Sequence, residues 1–181
     1  MYTTIDTQAL TRLIDRQEIW DCILRYIRGV DRMDLDLVRS AFWEDASNSH
    51  GPVAGDVEDF IAGWLPAQSA REVSWHMVSN QQYDFAEDGA SAHVETYFTA
   101  GIRLVDDPRI EIVGGRYADR YEKRSGEWRI ATRVVLLDWQ GLADASEMKA
   151  RKAKRHQGSR DRHDPTYERP LQPRARIETP W

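Results

Sequence analysis

Glu72-Val73-Ser74-Trp75-His76-Met77-Val78-Ser79-Asn80 is where this 181-residue chain changes its hydrophobic period. Upstream, apolar residues recur at three- and four-residue spacings; from Glu72 onward they alternate, as in extended chain with one face covered. Turn signals at Ala86-Glu87-Asp88-Gly89, Asp106-Asp107-Pro108 and Arg124-Ser125-Gly126 divide the alternating part into four expected strands, about 72 to 85, 91 to 105, 109 to 123 and 127 to 139. Such short turns join antiparallel neighbours.

The upstream part reads as helices. One is expected from Thr7 to Gly29 with Asp6 or Thr7 as cap, loosening near Gly29, and a second from Asp34 to Phe42 with Leu35, Val38 and Phe42 inward. Ser47-Asn48-Ser49-His50-Gly51-Pro52 reads as a loop, and Val57 to Trp64 as a short helix that Pro66 ends or closely follows. The fold class is therefore α+β: a strongly curved antiparallel sheet covered by N-terminal helices, with a cavity between them. Residues 1–141 are expected to form this single domain. Residues 142–181 are expected to be a basic appendage, helical from Ala143 to Arg155 and then an extended arm, not an independent domain.

Composition narrows the function. The chain is 41% hydrophobic with seven Trp, so it can build an indole-rich core or pocket. No apolar run approaches the ~20 residues of a membrane span, and the N-terminus lacks the regions of a signal peptide, so a cytoplasmic location is expected. The one cysteine, Cys22, reads as a buried structural thiol. Residues 149–181 hold ten Lys or Arg against four Asp or Glu, +6, which leaves −11 on the rest of a chain of net charge −5. A basic tail and an acidic body are expected to meet, within one subunit or between neighbours. The tail has no zinc spacing, RNA-binding signature or regular aromatic interleaving, so no nucleic-acid partner is expected.

Asp31 is the first residue to point to chemistry. Leu10, Leu13, Gln17, Trp20, Leu24, Ile27 and Asp31 follow the spacing of one helical face, and a carboxylate closing an apolar stripe needs a partner. His76 is the best candidate. A carboxylate on one imidazole nitrogen fixes tautomer and orientation, leaving the other nitrogen to move a proton near neutral pH; the bland alternative is a core histidine satisfied by a polar neighbour. Val78 and Asn80 alternate with His76 and share its expected cavity face. Arg133, flanked on its strand face by apolar residues, suits an oxyanion or leaving group, or else snorkels from the sheet. Arg116 invites the same two readings. Tyr26 lies five residues before Asp31, about 140° around an ideal helix. It is a candidate donor only if the helix end distorts. Trp43, Trp64, Trp75 and Trp139 line an aromatic pocket or fill the core. His50 and His93 stand alone, and no metal spacing, phosphate loop or nucleophile elbow occurs, so no metal and no cofactor are expected.

The order of these elements, with Arg25-Tyr26-Ile27-Arg28-Gly29-Val30-Asp31 ending the first helix, His76-Met77-Val78-Ser79-Asn80 on the first long strand and Tyr121-Glu122-Lys123-Arg124-Ser125-Gly126-Glu127-Trp128-Arg129-Ile130 as a last hairpin, resembles the SnoaL-like branch of the nuclear-transport-factor-2-like superfamily over about residues 7 to 140. The resemblance implies a cofactor-free lyase with an Asp-His pair in a conical barrel: Asp31 as dyad aspartate, His76 as general base, Arg133 and Tyr26 as active-site arginine and tyrosine. A second pocket histidine, which one such dehydratase has, is not evident. The implied substrate is small, hydrophobic, and aromatic or polycyclic, undergoing dehydration or retro-aldol-type loss of an aldehyde such as formaldehyde. Asn80, Trp43, Trp64, Arg116 and Trp139 are the expected substrate contacts. Isomerisation, a non-catalytic ligand-binding role, and a small subunit of an aromatic-ring dioxygenase are the alternatives. A homodimer or homotrimer is the assembly that the resemblance implies.

Overall fold

A computed structural model describes residues 6–147, 155–175 and 177. Helix α1 (Thr7–Arg32) starts at Asp6, whose carboxylate accepts from the backbone N–H groups of Gln8 and Ala9, and ends at Met33 in the left-handed region. It runs past Gly29, so Asp31 belongs to its last turn. Gly29 does not loosen the helix; it lets α2 (Leu35–Ser40) approach, since a Cβ there would lie 2.7 Å from the backbone nitrogen of Val38. The second helix stops at Ser40, and Phe42 opens a strand instead of closing that helix.

The sheet has six strands, not four. To β3 (Arg71–Phe85), β4 (Ser91–Leu104), β5 (Arg109–Arg124) and β6 (Glu127–Asp144) are added β1 (Phe42–His50) and the short β2 (Val53–Gly55), turning at Gly51. The order is β2-β1-β6-β5-β4-β3, antiparallel except for β1 against β6, and the curled sheet does not close. Helix α3 (Val57–Trp64) starts at a capping box between Asp56 and Asp59, and a 3-10 turn (Leu65–Gln68) leads from it to β3. Val57 to Trp64 is the helix expected there.

Helix α1 lies in the cup of the sheet. Ile19, Cys22, Ile23, Tyr26 and Val30 pack against Phe42, Tyr117, Tyr121, Trp128 and Ile130. The buried helical face is thus centred elsewhere than the expected stripe: Leu10, Leu13 and Leu24 are exposed. A curved sheet covers a wide arc of the helix, so both Tyr26 and Asp31 reach the interior without distortion.

Strand β6 continues past residue 141 to Asp144 and residues 145–147 turn, so the helix expected from Ala143 to Arg155 does not start there; its residues 148–154 lie outside the described residues. Residues 155–175 lie back across the junction of α1 and α2. Arg162 and the Tyr167 hydroxyl both reach Asp34, at 2.8 and 3.0 Å, Arg32 pairs with Asp164 at 3.3 Å, and the Arg28 guanidinium sits over the Tyr167 ring. Among the described residues no helix is long and apolar enough to cross a membrane.

Candidate active site

Asp31 and His76 meet. The ring Nδ1 of His76 lies 2.7 Å from Asp31 Oδ1, and the backbone N–H of His76 donates to Asp31 Oδ2 at 2.9 Å. Both carboxylate oxygens are thereby acceptors, which puts a ring proton on Nδ1 and leaves Nε2 with no hydrogen bond among the described residues. The clasp also fixes position: the same carboxylate holds backbone and ring. Asp31 is 8% exposed, and both side chains are nearly buried.

Arg133 is fully buried. Its Nε and Nη2 donate to the two oxygens of Asp119 at 2.7 and 2.6 Å, its register partner on β5. The rings of Tyr26 and Tyr117 flank the guanidinium at 4.3 and 4.2 Å. Nη1 alone has no partner, so one N–H edge is held rigidly and left over. Asp119 sits in the buried fork that sequence reading did not assign. Burial keeps the Tyr26 phenol protonated, raising its pKa despite the adjacent Arg133 charge. An aromatic wall links the two centres: Tyr117 stacks on Phe98 at 4.5 Å, and Phe98 faces His76 at 6.4 Å.

Strand β1 contributes residues that sequence reading took for loop. Asn48 is in register with Arg133 and 2% exposed, and neither atom of its amide has a partner. Two positions on, His50 stacks on Phe60 at 5.1 Å, and Phe60 stacks on Trp64 at 5.8 Å. A second interior histidine is therefore present. Burial, helped by the charges of Arg133, His76 and Arg71, depresses the His50 pKa to about 4, so the ring is neutral. Its signal was the His50, Asn48 alternation inside the polar run. Trp64 is partly buried and packs against the core beside Phe60.

Four expected substrate contacts lie elsewhere. A bulge between Val78 and Gln81 shifts the alternation, so Asn80 is exposed and Gln81 takes the inward position, bonded to Thr96 at 2.8 Å. Arg116 is on the outer face, forked to Asp138 and paired with Glu95; those carboxylates raise its pKa. Trp43 is sandwiched by Arg124 and Arg129 outside the cup and donates its indole N–H to the Glu122 carbonyl at 3.1 Å. Trp139, 53% exposed, lies over Gly114 on the outer face, as Trp75 lies over Gly101. His93 is also exposed. Burial raises the Cys22 thiol to about 11, and its Sγ meets the Ala41 carbonyl in the core. Among the described residues, no cluster of His, Cys, Asp and Glu could hold a metal ion.

A curled sheet wrapped on one long helix, with the Asp31–His76 pair at the helix end, defines a class. The SnoaL-like domain family matches residues 11–134, and the chain belongs to that family. Its fold is shared with a protein of Novosphingobium aromaticivorans provisionally described as a scytalone dehydratase (20% identity, TM-score 0.68, 74% of this chain and 90% of that one). It is also shared with a hexachlorocyclohexane dehydrochlorinase of Novosphingobium barchaimii (19%, 0.65, 75% and 94%). A third similar structure is provisionally described as an aromatic ring hydroxylase of Novosphingobium aromaticivorans (21%, 0.64, 73% and 94%). At these identities the likeness is one of fold. No curated protein matched the sequence.

Proposed function

We propose that this protein is a cofactor-independent lyase acting on a small hydrophobic, aromatic or polycyclic substrate. The observation that carries the reading is the two-point hold of Asp31 on His76, which presents Nε2 from a fixed strand position. His76 is the general base; Asp31 orients it and stabilises the imidazolium that forms. The free Nη1 edge of Arg133, with Tyr26 beside it, stabilises the oxygen that leaves or gains charge.

Two outcomes use the same groups. If His76 takes a proton from carbon, the electron pair forms a C=C bond as the β-hydroxyl departs, and the imidazolium returns that proton to it so that it leaves as water. If it takes the proton of a hydroxymethyl O–H, the C–O becomes C=O, the C–C bond breaks and formaldehyde is released. The electron pair of that bond must then be accepted by a carbonyl or by a leaving oxygen within reach of Arg133. Isomerisation by returning the proton to a different carbon is the nearest alternative. A ligand-binding protein or dioxygenase small subunit gains nothing from the fixed base. The fold relationship to a dehydrochlorinase supports the lyase over them.

A panel of aryl β-hydroxy compounds, followed for water loss and for released formaldehyde, tests this. Turnover is expected to fall about 10²–10⁴-fold in His76→Ala and in Asp31→Asn while folding is retained. Near-wild-type turnover in either variant would remove the dyad from the mechanism.

A further inference from the structure

The tail brings a cation to the dyad. Arg160 lies where residues 155–175 cross the start of β3: Nη1 donates to the carbonyls of Gln68 and Arg71, both at 3.1 Å, and Nη2 donates to Gln68 Oε1 at 2.7 Å. All these acceptors are neutral. Its Nε is buried with no partner. The charges acting on it are those of Arg71 and Arg32, which repel, and of Asp31, which attracts. Arg32 is paired with Asp164, and Asp31 is occupied by His76, so neither answers the Arg160 charge.

Arg71 is in the same condition. It is half-buried at the first position of β3, five residues before His76, and its guanidinium makes no ion pair or hydrogen bond among the described residues. Its charge reaches His50 within the cup. Glu111 acts on it from beyond ion-pair distance, and burial lowers the pKa of both arginines, the direction expected for cations lacking a close counter-ion. The adjacent buried arginine, Arg133, has its own carboxylate at 2.6 Å. Two half-buried guanidinium groups without one carry an unanswered desolvation cost that a ligand carboxylate would offset.

We propose that Arg71 and the tail residue Arg160 form a subsite for a carboxylate group of the substrate, which places its charged end at the tail-covered mouth and its reacting end at His76. Aromatic monocarboxylates are then the substrate class. Arg160 offers the Nε–H edge and Arg71 a whole guanidinium face, a pair of charge-assisted donors suited to a planar carboxylate. A dianion such as phosphate is disfavoured by Asp31 and Glu111 nearby. The tail thereby becomes part of the site. Arg162, Tyr167 and Asp164 anchor it to Asp34 and Arg32, the residues that follow the dyad aspartate.

The word substrate here rests on the lyase reading; affinity for a carboxylate does not, and the two can fail separately. The full-length protein is titrated calorimetrically with benzoate, cinnamate and biphenyl-4-carboxylate and with their methyl esters. At least one acid is expected to bind about tenfold or more tighter than its ester. In Arg71→Gln, which leaves the main-chain carbonyl that Arg160 uses, and in Arg160→Gln, that preference is expected to fall about tenfold while ester affinity stays within about twofold. Arg160→Lys should retain part of it. His76→Ala should keep the acid affinity within about threefold. If no acid is preferred over its ester, or the preference survives in both glutamine variants, the subsite is disproved whatever the turnover results. If the preference behaves as stated but His76→Ala turns over normally, the subsite stands and the lyase reading falls.

Discussion

At the scale of residues, the interior is a set of titratable groups held in different charge states by their neighbours. Arg133 is neutralised by Asp119, Asp31 is occupied by His76, and His50 is neutral because burial outweighs its affinity for a proton. That last group gives the protein an acid-side weakness. A histidine whose folded pKa is about 4 binds its proton less readily than in the unfolded chain, near 6.5. Its contribution to stability is complete above pH 6.5 and is lost as pH falls toward 4, up to about 3 kcal/mol. Urea unfolding between pH 7 and 4 should therefore show wild type losing stability relative to His50→Gln, with the gap narrowing or reversing at the acid end. Parallel curves would mean that His50 is not buried neutral.

At the scale of elements, what could be read in the sequence followed from how apolar each element's covered face is. Strands β3 to β6 and helix α3 were legible because most of their inward positions are hydrophobic, with single polar residues among them. Strand β1 was not: its inward positions include Asn48 and His50, and polar residues there hide the apolar alternation that marks a strand. Asp31, His76, Tyr26 and Arg133 stand out in the sequence because each is a polar group in a regular apolar pattern. Asn80 was misplaced because a bulge leaves no mark in the period. The α1–α2 corner supplies a test of packing. Replacing an exposed helical glycine by alanine stabilises by about 1 kcal/mol through propensity. At Gly29 the added Cβ meets the backbone nitrogen of Val38 at 2.7 Å and the backbone oxygen of Asp34 at 3.0 Å, groups that cannot rotate away. Gly29→Ala is expected to lose about 1–3 kcal/mol in denaturant unfolding; a gain would show that the corner is loosely packed.

At the scale of the whole molecule, the sequence showed a basic tail and an acidic body but not where they meet. Charge totals carry no address. The meeting place is set by Asp34 and by the Arg32–Asp164 pair, single residues whose partners lie more than a hundred positions away. A further consequence of the Asp31 clasp appears only when the sheet is viewed end to end. Strand β3 is the last strand in the order, so among the described residues no strand lies on its side away from β4, and amides on such an edge are a template for another chain. The amide that Asp31 Oδ2 takes is one of these. The carboxylate thus guards the edge against intermolecular pairing while it orients the histidine. Asp31→Asn retains an acceptor for that amide and Asp31→Ala does not, so both are expected to lose turnover but only the alanine variant to aggregate faster on warming, read by light scattering. Equal aggregation would leave Asp31 with the histidine alone. Otherwise selection for solubility and selection for chemistry act on one carboxylate.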